Sequence, residues 1–361
     1  MKILNFSFML LLIFSALMPE SIAQKKTVFP GEEWAVRKPE SMGLNKEALA
    51  KIGKLMEKSQ SNGVLIKNGY LVAEWNFDGP ADKKIEVQSI TKSITSMVLG
   101  LALKEGKIAS INDLVKKYYP GFNAGPYTDQ ITFWHLVTAS SGIAAKRYGE
   151  NYVDPGNMAP GLESRYTNDH LAELAKALTY IYGEPISNIA SSRVLKKIGA
   201  DVDWKEEKEV SVRMANGKEI PVNAGFAFSH WTATDLARVG WLYLNKGNWK
   251  GKQLIPENYV EQCRTNINIP VMPFSRRSGP VISDNTKRAY GLAWRGHYTK
   301  SGQLIWYMSG NGGQMCVVLP KEGMVFVKIN GIGKPYQPFN GIDKFEGLLL
   351  AMNGEKTTRI E

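Results

Sequence analysis

The sequence predicts an α/β protein of the α+β type, in which an antiparallel sheet is flanked by terminal helices and a mostly helical second subdomain is inserted after the first strands. Three observations predict this arrangement. β-like runs lie near the start of the 361-residue chain, further β-like runs lie near its end, and helical patterns occupy the middle. A sheet built from both ends of the chain is therefore expected.

The first 23 residues have the pattern of a secretory signal peptide. Lys2 supplies a positive charge, an apolar run follows, and Ser21-Ile22-Ala23 forms a small-residue exit. We expect cleavage after Ala23 and a periplasmic or secreted protein. The apolar run is short for a membrane span, so no stable membrane insertion is expected after cleavage, and an uncleaved anchor is the alternative.

The first elements of the mature chain are a hairpin and a helix. Two β-like runs within residues 64–75 meet at Asn68-Gly69, a strong short-range hairpin signal. From Ile90 onward, apolar residues recur at helical spacing, and Gly106 ends the pattern. Ser89 is therefore expected at the N-terminus of this helix.

The remaining pattern divides residues 24–361 into a sheet region and a helical region. The sheet region is expected at about 30–88 and 226–361, and the mostly helical region at about 89–225. Helices are predicted over His170–Ile181, Pro185–Ile198, Ala233–Leu244 and Phe345–Met352, and β-strands over Tyr290–Trp294, Leu304–Met308, Met315–Leu319 and Met324–Ile329.

The composition excludes several classes of function. The net charge is +11, but the lysines are scattered and no zinc spacing or aromatic RNA-binding motif occurs, so nucleic-acid binding is not expected. The four histidines have no metal-ligand spacing, and neither a metal nor another cofactor is expected. Cys263 lies in a helical pattern and Cys316 in a strand pattern, which favours two buried thiols over a disulfide.

Ser89 and Lys92 are the first candidate catalytic pair. At a spacing of three residues they share one face of the predicted helix. A lysine whose charge is suppressed by burial or by cationic neighbours can accept the proton of the serine. Taken alone, the pair also fits an N-cap with a surface lysine, so the interpretation depends on later segments.

Two later segments carry compatible chemistry. Tyr166 and Asn168 precede the helix that begins near His170, where a tyrosine can act as a base or a hydrogen-bond relay. Gly312 and Gly313 stand at the entrance of a β-strand, where a substrate can approach the backbone and an exposed N–H can act as an oxyanion donor. In isolation, a packed tyrosine and a glycine-rich hairpin are the alternatives.

Taken in order, Ser-x-x-Lys, Tyr-x-Asn and the Gly-Gly strand resemble the motifs of the serine β-lactamase and penicillin-binding-protein superfamily. The resemblance is closest to its class C β-lactamase-like esterases, D-aminopeptidases and 6-aminohexanoate-oligomer hydrolases. It extends over nearly the whole mature chain and includes residues 39–44, 105–108, 131–142, 232–238 and 251–256. It implies a β-lactamase/transpeptidase-like fold for residues 24–361.

The resemblance also implies roles for individual residues. Ser89 attacks an ester or amide carbonyl, Lys92 and Tyr166 move its proton, and Asn168 orients these two side chains. The backbone N–H groups of Ser89 and Gln314 form the oxyanion hole. Whether Lys92 or Tyr166 is the base stays open, and the role is assigned to them jointly.

The chain departs from the family pattern in its third motif. Where many relatives have Lys-Thr-Gly or His-x-Gly, this sequence has Asn311-Gly312-Gly313 and so lacks the cation that holds a substrate carboxylate. Lys300-Ser301-Gly302 imitates the motif but is interpreted as a hairpin turn. Ala139 replaces a histidine that stands in the corresponding sequence motif of many relatives, and this change is interpreted as structural.

We therefore expect an exported serine hydrolase that cleaves a small ester, amide or peptide-like substrate through an acyl-Ser89 intermediate. Two alternatives stay open: a catalytically weak envelope-binding module of the same fold, or a true β-lactamase or D-Ala carboxypeptidase. The loops at 146–163 and 266–287 are expected to shape the pocket. No pattern indicates an oligomeric state.

Overall fold

The computed structural model describes residues 27–144, 157–162, 164–265, 271–272, 288–298, 304–331 and 342–352. The expected signal peptide, most of the two expected pocket loops and Lys300-Ser301-Gly302 lie outside these residues.

The described helices have the following bounds: α1 (Lys46–Lys58), α2 (Ile90–Lys104), α3 (Val115–Tyr118), α4 (Phe133–Val137), α5 (Asp169–Tyr182), α6 (Ile186–Ala190), α7 (Lys196–Ile198), α8 (Ala233–Leu244), α9 (Glu257–Thr265) and α10 (Ile342–Ala351). A π-helical segment, Ser191–Leu195, joins α6 to α7. None of these helices has both the length and the apolar character that a membrane crossing requires.

The described strands are β1 (Asn62–Lys67), β2 (Tyr70–Asn76), β3 (Ile85–Glu86), β4 (Ser164–Arg165), β5 (Asp203–Trp204), β6 (Glu206–Arg213), β7 (Glu219–Asn223), β8 (Ser229–Trp231), β9 (Asn248–Trp249), β10 (Lys252–Gln253), β11 (Val271–Met272), β12 (Arg288–Gly291), β13 (Trp294–Tyr298), β14 (Leu304–Gly310), β15 (Gln314–Leu319) and β16 (Met324–Ile329).

The main sheet is antiparallel and is built from both ends of the described chain. Its strand order is β12-β13-β14-β15-β16-β1-β2. The central ladder runs from Asn62 opposite Ile329 to Lys67 opposite Met324, so the N-terminal hairpin continues the C-terminal meander. This topology confirms the predicted antiparallel sheet formed by early and late strands.

The two faces of the main sheet belong to two different cores. Successive side chains of a strand point to opposite faces, and β15 and β16 are buried on both. Val325 and Val327 belong to the core that includes α2 and α8. Met324 and Phe326 belong to the core that includes α1 and α10. The terminal helices therefore cover one face, as predicted, and the helical region covers the other.

Local sequence patterns predicted several elements well. Asn68 and Gly69 both have positive φ, 49° and 84°, which is the geometry of a two-residue hairpin turn. Helix α2 begins at Ile90, with Gly106 at φ 66° just beyond its end. Helix α8 spans Ala233–Leu244, as predicted. The two cysteines are buried free thiols, which confirms that expectation.

The predicted strand Tyr290–Trp294 was wrong. The chain reverses inside this run, because Leu292 and Ala293 adopt φ of 28° and 65° between β12 and β13. Both turn residues are buried. An apolar run therefore continues through the turn, and apolar composition alone does not show where the strand ends.

Strands also occur within the region that was expected to be mostly helical. β6 and β7 form an antiparallel hairpin, in which Arg213 lies opposite Glu219. The short strand β5 pairs with β8, which in turn pairs with β3. The helices of this region, chiefly α2, α5 and α6, pack against one another and place the candidate site between the sheet and the helical part.

Candidate active site

Ser89 is the N-cap residue of α2 and is half-buried. It follows Gln88, whose φ of 52° is unusual for a residue with a side chain. The backbone N–H of Val87 donates to the carbonyl of Ser229 at 3.0 Å, and the Gln88 amide donates to Glu86 Oε1 at 2.7 Å. These bonds hold a sharp entry into the helix. The positive φ of Gln88 is a form of backbone strain that often occurs at functional sites.

Lys92 lies one turn into α2, with its side chain 1% exposed. Its Nζ is 2.9 Å from Ser89 Oγ, 2.9 Å from Asn168 Oδ1 and 3.1 Å from the carbonyl oxygen of Phe226. Burial lowers the pKa of Lys92, and the positive charge of Arg295 lowers it further, while Tyr166 opposes this shift. The ammonium form is therefore disfavoured beside a serine hydroxyl, as a base for that hydroxyl requires.

Tyr166 lies over the same lysine, with Lys92 Nζ 5.0 Å from the centre of its ring. Burial alone raises the pKa of Tyr166, but the charges of Lys92 and Arg295 and hydrogen bonds from Ser89 and Arg295 lower it to about 7. Tyr166 and Lys92 therefore form a coupled pair whose protons belong to both groups. At neutral pH this pair can accept a proton from Ser89.

Asn168 occupies the N-cap position of α5, but its side chain does not cap the helix. Its Oδ1 accepts a hydrogen bond from Lys92 instead. Asparagine at an N-cap normally accepts from the first turn of its own helix. The Asn168 side chain thus binds Lys92 and leaves the first turn of α5 uncapped. The structure brings Ser89, Lys92, Tyr166 and Asn168 into one network.

The loop that carries Tyr166 is fixed by the turn after α4. Ala139 adopts φ 55° at this turn, and its carbonyl accepts the backbone N–H of Arg165 at 2.8 Å. Ser164 Oγ donates to the carbonyl of Thr138 at 2.8 Å. Ala139, which replaces a histidine of the family pattern, therefore lies at a strained turn that supports the loop carrying Tyr166.

His170 fixes the same loop from α5. Its Nε2 is 2.9 Å from the carbonyl oxygen of Arg165, and its Nδ1 is 2.6 Å from Ser141 Oγ. Burial lowers the pKa of His170 to about 4, so the ring is neutral near pH 7. A neutral ring that donates from Nε2 to the carbonyl accepts at Nδ1 from the Ser141 hydroxyl. His170 therefore holds the backbone directly before Tyr166.

The third predicted motif, Asn311-Gly312-Gly313, is flanked by Gly310 and Gln314. Both flanking residues contact the segment that leads into Ser89. A Cβ atom at Gly310 would be 2.2 Å from the carbonyl oxygen of Val87, so only glycine permits this approach. Gln314 Nε2 lies 3.3 Å from the carbonyl oxygen of Glu86. The end of β14 and the start of β15 are thereby held beside Ser89.

Asn311 lies apart from this network. It is exposed at the turn between β14 and β15, while Gly312 and Gly313 both have φ of 84°. Among the described residues, no side-chain hydrogen bond joins Asn311 to Ser89 or Lys92.

Arg295 is a site residue that the sequence reasoning missed. Its guanidinium lies 4.3 Å from the ring centre of Tyr166 and 5.6 Å from that of Tyr290. The two tyrosine rings meet edge to face at 5.4 Å. Arg295 directly follows the run that was predicted as one strand ending at Trp294. If the β12–β13 turn had been predicted, Arg295 would have been placed opposite Tyr290. The pair would then have been recognised as a charged side chain beside an aromatic ring.

No group of three or more His, Cys, Asp or Glu side chains within the described ranges has an arrangement that could hold a metal ion. The site residues belong to one backbone and side-chain network of Ser, Lys, Tyr, Asn and Arg.

Comparison with known proteins gives one family match and several similar structures. A β-lactamase family model matches residues 52–331. A β-lactamase of Pseudomonas fluorescens is 25% identical over 125 residues, which are 32% of this chain and 34% of that protein. The match therefore spans about a third of the length of this curated relative.

Two solved structures show the same fold. One, assigned as a 6-aminohexanoate-dimer hydrolase from Bacillus anthracis, has a TM-score of 0.64 at 19% identity and covers 82% of this chain and 80% of its own. Another, assigned as a β-lactamase from Bacteroides dorei, has a TM-score of 0.68 at 14% identity and covers 86% of this chain and 100% of its own.

Proposed function

Because the chain belongs to the β-lactamase family, we propose that it is an exported serine hydrolase that cleaves a small ester, amide or peptide-like substrate through an acyl-Ser89 intermediate. The observation that carries the proposal is the position of Lys92 Nζ, buried and 2.9 Å from Ser89 Oγ. A nucleophile within hydrogen-bond reach of a base of lowered pKa is the arrangement that covalent acyl transfer requires.

In the acylation step, Ser89 Oγ attacks the substrate carbonyl carbon, and the Ser89 proton passes to the Lys92–Tyr166 pair. The carbonyl oxygen becomes an oxyanion, for which we propose the backbone N–H groups of Ser89 and Gln314 as donors. When the intermediate collapses, the bond to the leaving alcohol or amine breaks, and that group takes the proton from the pair. Ser89 then carries the acyl group as an ester.

In the deacylation step, a water molecule gives a proton to the same pair and attacks the ester carbonyl. The bond to Ser89 Oγ breaks, the serine regains its proton, and a carboxylic acid leaves. Asn168 holds Lys92 during both steps, since its Oδ1 lies 2.9 Å from Nζ. Arg295 favours the proton-accepting form because it lowers the pKa of both Lys92 and Tyr166.

The third motif bears on the class of substrate. Asn311 is neutral and exposed where many relatives have a cation, so it supplies no charge to hold a substrate carboxylate. Neutral esters and amides therefore fit this site better than β-lactams. A non-catalytic binding module is the weaker alternative, because Lys92 lies within hydrogen-bond distance of Ser89, and Lys92 and Tyr166 have lowered pKa values that binding alone does not need.

Export is proposed from the first 23 residues alone. Expression of the full chain in a Gram-negative host, followed by N-terminal sequencing of the periplasmic fraction, tests it. The proposal requires a mature protein that begins at Gln24.

The catalytic proposal is tested by turnover of p-nitrophenyl butyrate, a D-amino-acid p-nitroanilide and nitrocefin with residues 24–361. Ser89→Ala is expected to lower kcat by about a thousandfold or more, since the nucleophile is lost. Ser192→Ala, an exposed helical serine, is the matched control and should retain wild-type turnover. Equal turnover by Ser89→Ala and wild type would refute the acyl-Ser89 mechanism. Nitrocefin turnover as efficient as ester turnover would favour the β-lactamase alternative.

A further inference from the structure

Phe228 combines an exposed aromatic ring with a strained backbone. The residue is 47% exposed, and its φ is 71°. A positive φ is uncommon for any residue other than glycine, and it is an outlier for a residue with a bulky side chain. Single exposed apolar residues are common on protein surfaces and need no function. The position of Phe228, rather than its exposure alone, therefore decides what it does.

The ring of Phe228 packs against a residue that holds Lys92. The carbonyl oxygen of Phe226 accepts a hydrogen bond from Lys92 Nζ at 3.1 Å, and the centre of the Phe226 ring lies 5.7 Å from the same Nζ. The rings of Phe226 and Phe228 meet at 65°, with their centres 5.9 Å apart. Phe226 is buried, so one buried ring lies between the exposed ring of Phe228 and the amine that contacts Ser89.

The contacts of Ser229 place its neighbour Phe228 beside the nucleophile. The carbonyl of Ser229 accepts the backbone N–H of Val87 at 3.0 Å, and its Oγ lies 2.7 Å from Thr91 Oγ1. Val87 and Thr91 each lie two residues from Ser89, one before it and one after it. Phe228 directly precedes Ser229, so the chain at Phe228 passes beside Ser89.

Glu86 holds the backbone in this strained form. Its carboxylate accepts a hydrogen bond from the Gln88 amide at 2.7 Å. Burial raises the pKa of Glu86, whereas the charge of His230 and a hydrogen bond from the Phe228 backbone lower it. One carboxylate thus binds two residues of positive φ, Gln88 at 52° and Phe228 at 71°. Strained residues persist only where their surroundings fix them, and they cluster at ligand-binding sites.

We propose that Phe228 is a specificity-determining residue, whose exposed ring forms a wall for an aromatic group of the substrate beside the scissile bond. The inference rests on the proposed function and deepens it, because it names aromatic esters or amides as the substrate class. Aromatic rings attract one another in edge-to-face or offset arrangements, beyond the free energy that burial of their area supplies. The aromatic group belongs to the acyl part or to the leaving part of the substrate, and experiment separates the two.

The test measures kcat/KM of residues 24–361 for two pairs of esters. p-Nitrophenyl phenylacetate and p-nitrophenyl acetate differ in the acyl part, whereas benzyl acetate and ethyl acetate, followed in a pH-stat, differ in the alcohol. In each pair, the aromatic preference is kcat/KM for the member with the added phenyl group divided by kcat/KM for the other. Comparing this ratio between wild type and variant cancels the intrinsic reactivity of the esters. A change in the first pair places the aromatic group in the acyl part, and a change in the second places it in the alcohol.

Phe228→Ala is expected to lower the aromatic preference about tenfold in one pair, since the ring that contacts the phenyl group is lost. Phe228→Tyr keeps the ring and should retain the preference within about twofold. Phe228→Gly adopts a φ of 71° without steric cost, so it gives the same comparison if Phe228→Ala does not fold. Phe77→Ala is the matched control and should keep the wild-type ratio. Phe77 is 41% exposed but directly follows β2, where its backbone N–H donates to the carbonyl of Ser61.

Two results overturn the role of Phe228: an aromatic preference of Phe228→Ala within about twofold of wild type in both pairs, or an equal loss in Phe77→Ala. In either case, a wild type that hydrolyses the esters and is labelled at Ser89 leaves the proposed function standing. A wild type that hydrolyses none of the esters and is not labelled at Ser89 by a fluorophosphonate overturns the proposed function itself, and the role of Phe228 with it.

Discussion

At the scale of single residues, the site depends on three groups that share a small volume. Lys92 Nζ lies 5.0 Å from the ring centre of Tyr166, and the Arg295 guanidinium lies 4.3 Å from the same ring. Arg295 lowers the pKa of both partners, because a nearby positive charge disfavours the ammonium and favours the phenolate. The guanidinium thus favours the proton-accepting form of the coupled pair.

Replacing Arg295 by methionine is expected to move the acid limb of the pH–rate profile to higher pH. In the wild type, Tyr166 has a pKa of about 7, and the proposed mechanism predicts that activity rises as the Lys92–Tyr166 pair loses a proton. Without the guanidinium, the pKa values of both groups rise, so kcat/KM at pH 7 should fall by about tenfold and recover at higher pH. The measurement is kcat/KM for p-nitrophenyl butyrate from about pH 5.5 to 9.5.

Arg213→Met is the control for this change, because Arg213 is an exposed arginine of β6. It should leave the profile unchanged. An acid limb that stays in place in Arg295→Met would show that Arg295 does not tune the pair.

At the scale of elements, the N-terminal half of α2 is held by two neighbouring segments. Thr95 Oγ1 donates to the carbonyl of Gly225 at 2.8 Å. Ser93 Oγ and Ser96 Oγ donate to the carbonyls of Ala293 and Leu292, each at 2.6 Å. The helix that follows Ser89 is therefore tied to the β12–β13 turn, and this turn sets the position of Arg295.

Replacing Gly310 by alanine is expected to displace the third motif. The new Cβ would lie 2.2 Å from the carbonyl oxygen of Val87 and 3.0 Å from Gln88 Cβ, so the end of β14 or the entry to α2 must move. We expect kcat/KM to fall about tenfold or more. Urea unfolding should show a loss of roughly 1–3 kcal/mol in the free energy of unfolding.

Gly31→Ala is the control for this substitution, since a Cβ at Gly31 has no neighbour closer than 3.9 Å. Its activity and stability should stay near those of wild type. If Gly310→Ala behaves like Gly31→Ala, the close approach of β14 to the Ser89 segment is not required for catalysis.

Local sequence patterns predict some of these elements and not others. The hairpin turn at Asn68-Gly69 and the bounds of α8 follow from local patterns, and both were predicted. The β12–β13 turn was not, because Leu292 and Ala293 are apolar residues buried beneath α2. Arg295 was missed for the same reason, since its partner Tyr290 is recognised only when the turn is known.

At the scale of the whole molecule, the fold joins segments that are far apart in the sequence. Ser89, Asn168 and Gln314 lie near one another because the N-terminal hairpin completes the C-terminal sheet and the helical region packs on one face. The order of the motifs predicted this family and its fold. The order did not predict the contact of Lys328 with the Gly313 carbonyl, because this contact depends on the register of β15 and β16.

The stability of the whole chain is expected to fall between pH 6.5 and 4 through His170. Burial lowers its pKa in the folded protein to about 4, from 6.5 for an unperturbed histidine. Over this interval the unfolded chain binds more protons, so the free energy of unfolding decreases as the pH falls, by up to about 3 kcal/mol. Above pH 6.5 the contribution is fully present.

His170→Gln removes this titration, and its urea-unfolding free energy should vary less with pH over the same interval than that of wild type. Identical pH dependence in the two proteins would show that His170 is not the group responsible.

Locating the site of covalent labelling tests whether Ser89 becomes acylated. Residues 24–361 are incubated with a fluorophosphonate and analysed by intact-protein mass spectrometry and peptide mapping, with Ser192→Ala as control. We expect one adduct per chain, on the peptide that contains Ser89, in wild type and control, and none in Ser89→Ala. An adduct on another residue, or equal labelling of Ser89→Ala, would rule out acylation of Ser89.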